Sequence, residues 1–350
     1  MKKETQYYRS KSTAVACALA GILAACSAAG AEDGATIAKL TRWERQMKIY
    51  GKKHCAMLGQ VSGDQALGAT YYDAIRVMYQ IADYTGDSEW KACALRARDI
   101  YRDAYVLRNK GGVPGYWNFT TGLRLDYERT GDWQSQYAAV LLSQHAAFSS
   151  DSTPLERTRS SDLSREVAYA IIGYINVEAL DQPRRTRRAA LVDQAYGHLD
   201  QWFVQFAWRD SSGRVTTQFS PFMVGLTAHA LIRDWELTGD ARLIPALTRA
   251  ADWLWANAWI RRERAMWYEA AHPTKAAADL NLLIAPVYAF LYRQTGDPKF
   301  GDEGDSLFAG GVDLAWLDGV KQFNQNYWWS FDYVKWRSPS SVPAPTAVPP

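Results

Sequence analysis

The feature that most constrains this chain is a three-residue joint that returns four times: Thr85-Gly86-Asp87, Thr130-Gly131-Asp132, Thr238-Gly239-Asp240 and Thr295-Gly296-Asp297. Each copy separates two stretches with helical periodicity. Glycine takes the left-handed conformation that ends one helix without a Cβ penalty, and the aspartate carboxylate accepts orphan N–H groups at the start of the next. Asp297-Pro298 adds proline at a first helical position, where a missing N–H costs nothing. The joint is therefore a stop and a start, and the first copy centres a helical hairpin over 71–105. On the second helix of that hairpin Trp90, Ala94, Ala97, Tyr101 and Ala104 recur at steps of three and four, an apolar stripe on one face.

Glycine spacing sets the period. Gly86 and Gly131 are 45 residues apart and Gly239 and Gly296 are 57 apart, while the 108 residues from Gly131 to Gly239 hold two periods. A degenerate joint belongs near the middle of that gap, and Leu180-Asp181-Gln182-Pro183 stands there between helical patterns over 163–180 and 184–208. Self-similarity at this length marks a helix-hairpin repeat. A first helix over 37–57, paired with the C-terminal segment, brings the count to about six hairpins. The links between hairpins are long, at 108–118, 149–162, 209–220, 260–278 and 318–326, and all must emerge at one end. That end is where binding residues are expected to concentrate. An open solenoid and a closed double ring both fit the repeat, and the one-sided links favour the ring. Over nearly the whole of 37–337 the pattern resembles the (α/α) toroids of glycoside hydrolases and polysaccharide lyases. The resemblance implies an all-α toroid of about six hairpins acting on a carbohydrate. It rests on no single family motif: the Asp-Asp pair of the bacterial mannanases is absent, and Asn326-Tyr327-Trp328-Trp329 bears a faint likeness to a run in toroidal alginate lyases.

The N-terminus reads as an address. Lys2, Lys3, Arg9 and Lys11 precede an apolar run over 13–25, shorter than the roughly 20 residues a transmembrane helix needs, and the run ends in Leu23-Ala24-Ala25-Cys26. This resembles a bacterial lipoprotein signal peptide over 1–25, with Cys26 lipidated. A plain secretory cut is the alternative. The resemblance implies a cell-envelope protein anchored in a membrane, with the outer membrane expected because no acidic residue follows the cysteine directly. Residues 26–36 then form a tether and the proline-rich 338–350 a tail outside the domain. Those four basic residues less Glu4 account for the whole formal charge of +3, which leaves a nearly neutral domain and argues against nucleic acid as a partner. Cys55 and Cys93 remain after the signal, free to pair in an oxidising compartment or to act as small buried groups.

In a toroid the inner helices begin at the elaborate rim, so their first turns converge on a pocket. Those turns hold carboxylates, amides and indoles. Glycoside hydrolysis needs a proton donor and a second carboxylate across the bond, and Glu166 with Asp279 is the expected catalytic pair. Asp64, Asp73 and Glu269 are the substitutes for that pair, while Trp117, Trp267 and Trp328 are expected to stack on sugar rings. Elimination from a uronate asks instead for a group that neutralises its carboxylate, for which Asn118, Arg124, His229 and Asn281 are candidates. Tyr327 or His272 would then move the proton. An acid at a helix start can simply be a cap, so a glycan-binding or scaffold lipoprotein is the non-catalytic alternative. No Gly-x-Ser-x-Gly elbow, phosphate loop or spaced ligand set occurs, so neither cofactor nor catalytic metal is expected.

Overall fold

The four joints close in one way. Gly86, Gly131, Gly239 and Gly296 have φ of +68°, +71°, +66° and +69°, and each glycine N–H donates to the carbonyl four residues earlier. The aspartate after each glycine accepts the N–H two residues on, from Glu89, Gln134, Arg242 and Lys299, at 2.9, 3.0, 2.9 and 3.1 Å. The threonine hydroxyl before each glycine donates to the carbonyl four residues back, so every residue of the triplet is used. At the degenerate joint Asp181 takes the glycine's place, with φ of +60°.

The computed structural model describes residues 37–205, 219–270 and 275–338, all within one compact unit. The expected signal peptide, tether, Cys26, His272 and the tail beyond Ser338 lie outside these residues. Among the described residues fourteen α-helices follow in order: α1 (Leu40–Leu58), α2 (Gly63–Ala69), α3 (Ala74–Thr85), α4 (Glu89–Arg98), α5 (Thr121–Thr130), α6 (Trp133–His145), α7 (Ser164–Glu178), α8 (Arg185–Asp200), α9 (Pro221–Thr238), α10 (Leu243–Asn257), α11 (Ala285–Thr295), α12 (Pro298–Leu314), α13 (Val320–Trp328) and α14 (Ser330–Arg337). Wider π-helical turns prolong α4 and α8. The strands β1 (Trp259–Ile260) and β2 (Ala265–Met266) form a small antiparallel hairpin in the longest link. No described helix is long and apolar enough to cross a membrane.

The helices form an (α/α)6 toroid. The inner ring is α3, α5, α7, α9, α11 and the broken helix α13–α14, which meets α3 at one end and α11 at the other; α1 packs outside α13 and closes the sixth hairpin. Inner and outer helices differ in pattern for a physical reason. The inner helices α7 and α9 are buried on nearly every face, whereas α4 buries only a stripe of Trp90, Cys93, Ala94 and Ala97. Residues 318–326, expected to form a long link, are instead mostly helix, and the link shrinks to 315–319. A further link, 59–73, carries α2.

Cys55 on α1 and Cys93 on α4 form a disulfide between the outer helices of neighbouring hairpins, 38 residues apart in sequence. Constraining a loop of that length in the unfolded chain is worth about 4 kcal/mol in the chain-entropy account. The double variant Cys55→Ser/Cys93→Ser should therefore lose roughly 2–4 kcal/mol in a denaturant titration, and wild type under reductant should lose the same.

Candidate functional site

The inner helices begin where the long links gather, and two hollows lie there. One, about 230 Å³, is lined by Tyr71 and Tyr72 ahead of α3, Arg165 of α7, Tyr268, Lys275 and Asp279 of the longest link, and Lys321 and Gln325 of α13. The other, about 370 Å³, adds Tyr116 and Trp117 and shares Tyr71, Arg165 and Lys321 with the first. Together they make one groove across the rim. Cations sit on aromatic faces along it: the Arg165 guanidinium lies 5.1 Å from the Tyr116 ring centre and the Lys321 ammonium 5.1 Å from that of Tyr71. Trp117 meets Tyr71 edge-on at 4.7 Å.

Of the expected catalytic pair, Asp279 lines this groove and Glu166 stands behind it. Asp279 lies half-buried in a 3₁₀ turn ahead of α11, where one carboxylate oxygen accepts the Trp316 N–H at 2.6 Å and the main-chain carbonyl accepts from the Gln325 amide. Glu166 is 6% exposed and accepts from Arg165 at 2.8 Å. Its side chain packs against Gly115, where an added Cβ would fall 2.9 Å from the Glu166 Cγ. Arg165 therefore presents its charge to the groove while Glu166 holds it from below. Burial pushes the Tyr71 hydroxyl up to about 12, so it stays protonated near neutral pH.

Several expected substrate contacts belong to the scaffold instead. Asp73 is buried at the start of α3, accepting the Arg76 N–H at 3.2 Å and the Gly122 N–H at 2.9 Å, which ties α3 to α5. Burial raises its pKa. The Asn118 amide donates to the Ser149 hydroxyl under the link that follows α6. Asn281 is fully buried: its oxygen accepts the Met266 N–H, and its nitrogen donates to the carbonyls of Arg264 and Leu307, fastening the β-hairpin to α12. Tyr327 is buried and donates to the Trp43 carbonyl, joining α13 to α1. Asp64 is exposed on α2, and Trp267 and Glu269 are half-buried in the longest link without lining the groove. The scaffold roles of Asp73, Asn118, Asn281 and Tyr327 share a cause. A closed ring must satisfy buried backbone groups at every link, and amides and acids at helix starts are the nearest donors and acceptors.

Trp328 lies deeper still. It is 2% exposed, with His229 at 4.6 Å, the Arg76 guanidinium at 5.0 Å, and Tyr169 and Tyr72 beyond. This aromatic plug fills the centre of the toroid and divides its axis. Arg124, expected at the rim, and His229, expected midway along an inner helix, line a separate basin at the tight-joint end. Lys275, Lys321, Tyr71, Tyr268 and Gln325 are groove residues that reading first turns for acids and indoles passed over. A signal existed in Lys321 and Gln325, one helical turn apart at the start of the last inner helix. Among the described residues no cluster of His, Cys, Asp and Glu could hold a metal ion.

No family model matches this chain, and no curated protein matches it in sequence. Among solved structures it is similar to the cellobiose 2-epimerase of Bacillus thermoamylovorans B4167, with a TM-score of 0.52 at 10% identity over 77% of this chain and 87% of that one. The likeness supports the toroid architecture.

Removing a scaffold residue should cost stability directly. Asp73→Ala and Asn281→Ala each strand buried groups that they now satisfy, and each should lose about 2–4 kcal/mol in a denaturant titration, against under 1 kcal/mol for Asp64→Ala at the exposed start of α2.

Proposed function

We propose that this chain is a carbohydrate-cleaving enzyme whose substrate is an acidic glycan bound along the rim groove. The observation that carries the reading is the lining: Arg165, Lys275 and Lys321 stand with aromatic faces at Tyr71, Tyr116 and Trp117. Cations attract a uronate carboxylate and flat rings receive the C–H face of a pyranose. That the similar solved structure is a cellobiose 2-epimerase is in keeping with a sugar in such a toroid.

The lining favours elimination over hydrolysis. Among the described residues Asp279 is the carboxylate that faces the groove, whereas hydrolysis asks for two across the bond. In the elimination, Arg165, Lys275 and Lys321 neutralise the uronate carboxylate, which makes the adjacent C5 proton removable. Asp279 takes that proton, the electron pair forms the C4–C5 double bond, and the C4–O bond breaks. The Tyr71 hydroxyl, protonated because burial holds its pKa near 12, can give a proton to the departing oxygen. A second reading, hydrolysis by Glu166 and Asp279, draws on their common end of the inner helices; it requires Arg165 to release Glu166.

One assay separates the two. On a panel of acidic and neutral glycans, elimination yields products with the ultraviolet absorbance of an unsaturated uronate, while hydrolysis yields reducing ends without it. Asp279→Asn should cost about 10²–10⁴ in kcat in either case, but Glu166→Gln should stay within about tenfold of wild type under elimination and lose activity under hydrolysis. Binding of a glycan with no cleavage on the whole panel would leave a glycan-capturing protein and overturn the enzymatic reading.

We also propose that the chain is exported and held in the bacterial cell envelope by lipid on Cys26. Support comes from the basic, apolar and small-residue order ahead of that cysteine and from a disulfide of the kind an oxidising compartment sustains. Expressed from its full sequence in a bacterium fed labelled palmitate, wild type should carry label and sediment with membranes. Cys26→Ser should carry none and move to the soluble fraction, and an unlabelled wild type would refute the anchor.

A further inference from the structure

The basin at the tight-joint end of the toroid axis has a charge balance that its own side chains do not close. It measures about 540 Å³, within the range of small-molecule sites, and opens among the last turns of α3, α5 and α9. Two of its cations are matched. Arg129 makes a two-pronged pair with Asp83 at 2.6 and 2.8 Å, and Arg233 bridges Asp332 at 2.7 Å and Glu236 at 2.8 Å. Arg76 shares Asp332 from 3.4 Å, so one carboxylate serves two guanidinium groups. Arg124 brings the guanidinium groups of the lining to four against three carboxylates. The carboxylate paired with Arg124 is Glu128, at 3.2 Å and outside the lining, and the Arg124 Nε is buried without a hydrogen-bond partner.

The floor supplies the second observation. His229 is 1% exposed and lines the basin, yet neither ring nitrogen has a partner. Burial, with Arg76 and Arg233 beside it, holds its pKa well below the usual imidazole value, so the ring is neutral and carries one N–H. A buried donor left without an acceptor keeps the cost of its lost hydration, a deficit that an acceptor in the basin would offset. Excess cation in a walled hollow concentrates the field on an anion, and guanidinium forks match the oxygen pairs of carboxylate or phosphate. Leu125, Ile172, Ile175 and Leu237 complete the wall with apolar surface, which suits an organic body behind the anionic group.

We infer that this basin binds a small organic oxyanion, a carboxylate or phosphate ester of about the size of one sugar, with its anionic group between Arg76, Arg124 and Arg233 above His229. The site is distinct from the rim groove: Trp328 and Tyr72 lie between them, and the inference stands whether or not the groove cleaves glycans.

Two probes, glucuronate and glucose 6-phosphate, distinguish the carboxylate from the phosphate source, with glucose as the uncharged control. Calorimetric titration of the folded protein at low ionic strength should give saturable binding of at least one anion and none of glucose. Arg124→Met should weaken binding at least tenfold, whereas Lys321→Ala, which alters only the rim, should leave this affinity unchanged. A readout that needs no variant is the His229 imidazole, whose nitrogen resonances should shift on saturation in wild type and in Lys321→Ala alike. Absence of saturable binding, His229 resonances that stay in place, or loss of binding in Lys321→Ala with retention in Arg124→Met would each overturn the assignment. Because the rim variant carries its own cleavage assay, failure of the basin and failure of the groove are read separately.

Discussion

Four left-handed glycines keep the turns at one end of this molecule short. Each joint spends threonine on the helix it ends and aspartate on the helix it opens, so the turn between them needs no further residues. The repeat length beyond two helices is thereby displaced to the opposite end, where the links run long enough to carry α2, the β-hairpin and the 3₁₀ turn that bears Asp279. The groove at the rim is a consequence of this asymmetry. Backbone that cannot be stored in the joints has to lie on the other face, and loops on a rigid ring are where polar side chains converge.

A ring of six inner helices would leave an axial channel, and this one is closed by rings. Trp328 at the break between α13 and α14 meets His229, Tyr72 and Tyr169, with Arg76 stacked on its face. The arrangement keeps a neutral imidazole against aromatic rings and a cation, Arg76, that stacks on Trp328 and shares Asp332 with Arg233. Two chemically different hollows result. The one on the rim is open, aromatic and cationic, and the one among the joints is walled by guanidinium groups already partly matched.

Much of the architecture was legible in the chain because its signals are local. Gly86 or Gly239 needs only its own φ and the bonds of its neighbours, and the degenerate joint at Asp181 could be placed from spacing alone. The site was less legible. Glu166 and Asp279 were both found at inner-helix starts, yet only the fold puts one in the groove and the other beneath Arg165. Asp73, Asn281 and Tyr327 looked like binding residues because a cap, a link staple and a ligand contact call for the same polar groups. What separates them is the partner each one meets across the ring, Gly122, Leu307 and Trp43, none of them near in sequence.

The amino-acid order alone determined the helical hairpin as the unit, its period, the compact end and the elaborate end, since each follows from backbone conformation within a few residues. Tertiary structure decided which polar groups became scaffold, which faced solvent in the groove, and that the axis is plugged with a basin on the far side. Those outcomes depend on side chains from helices up to 287 residues apart, as the bond from Trp43 to Ser330 illustrates, meeting only once the ring is closed.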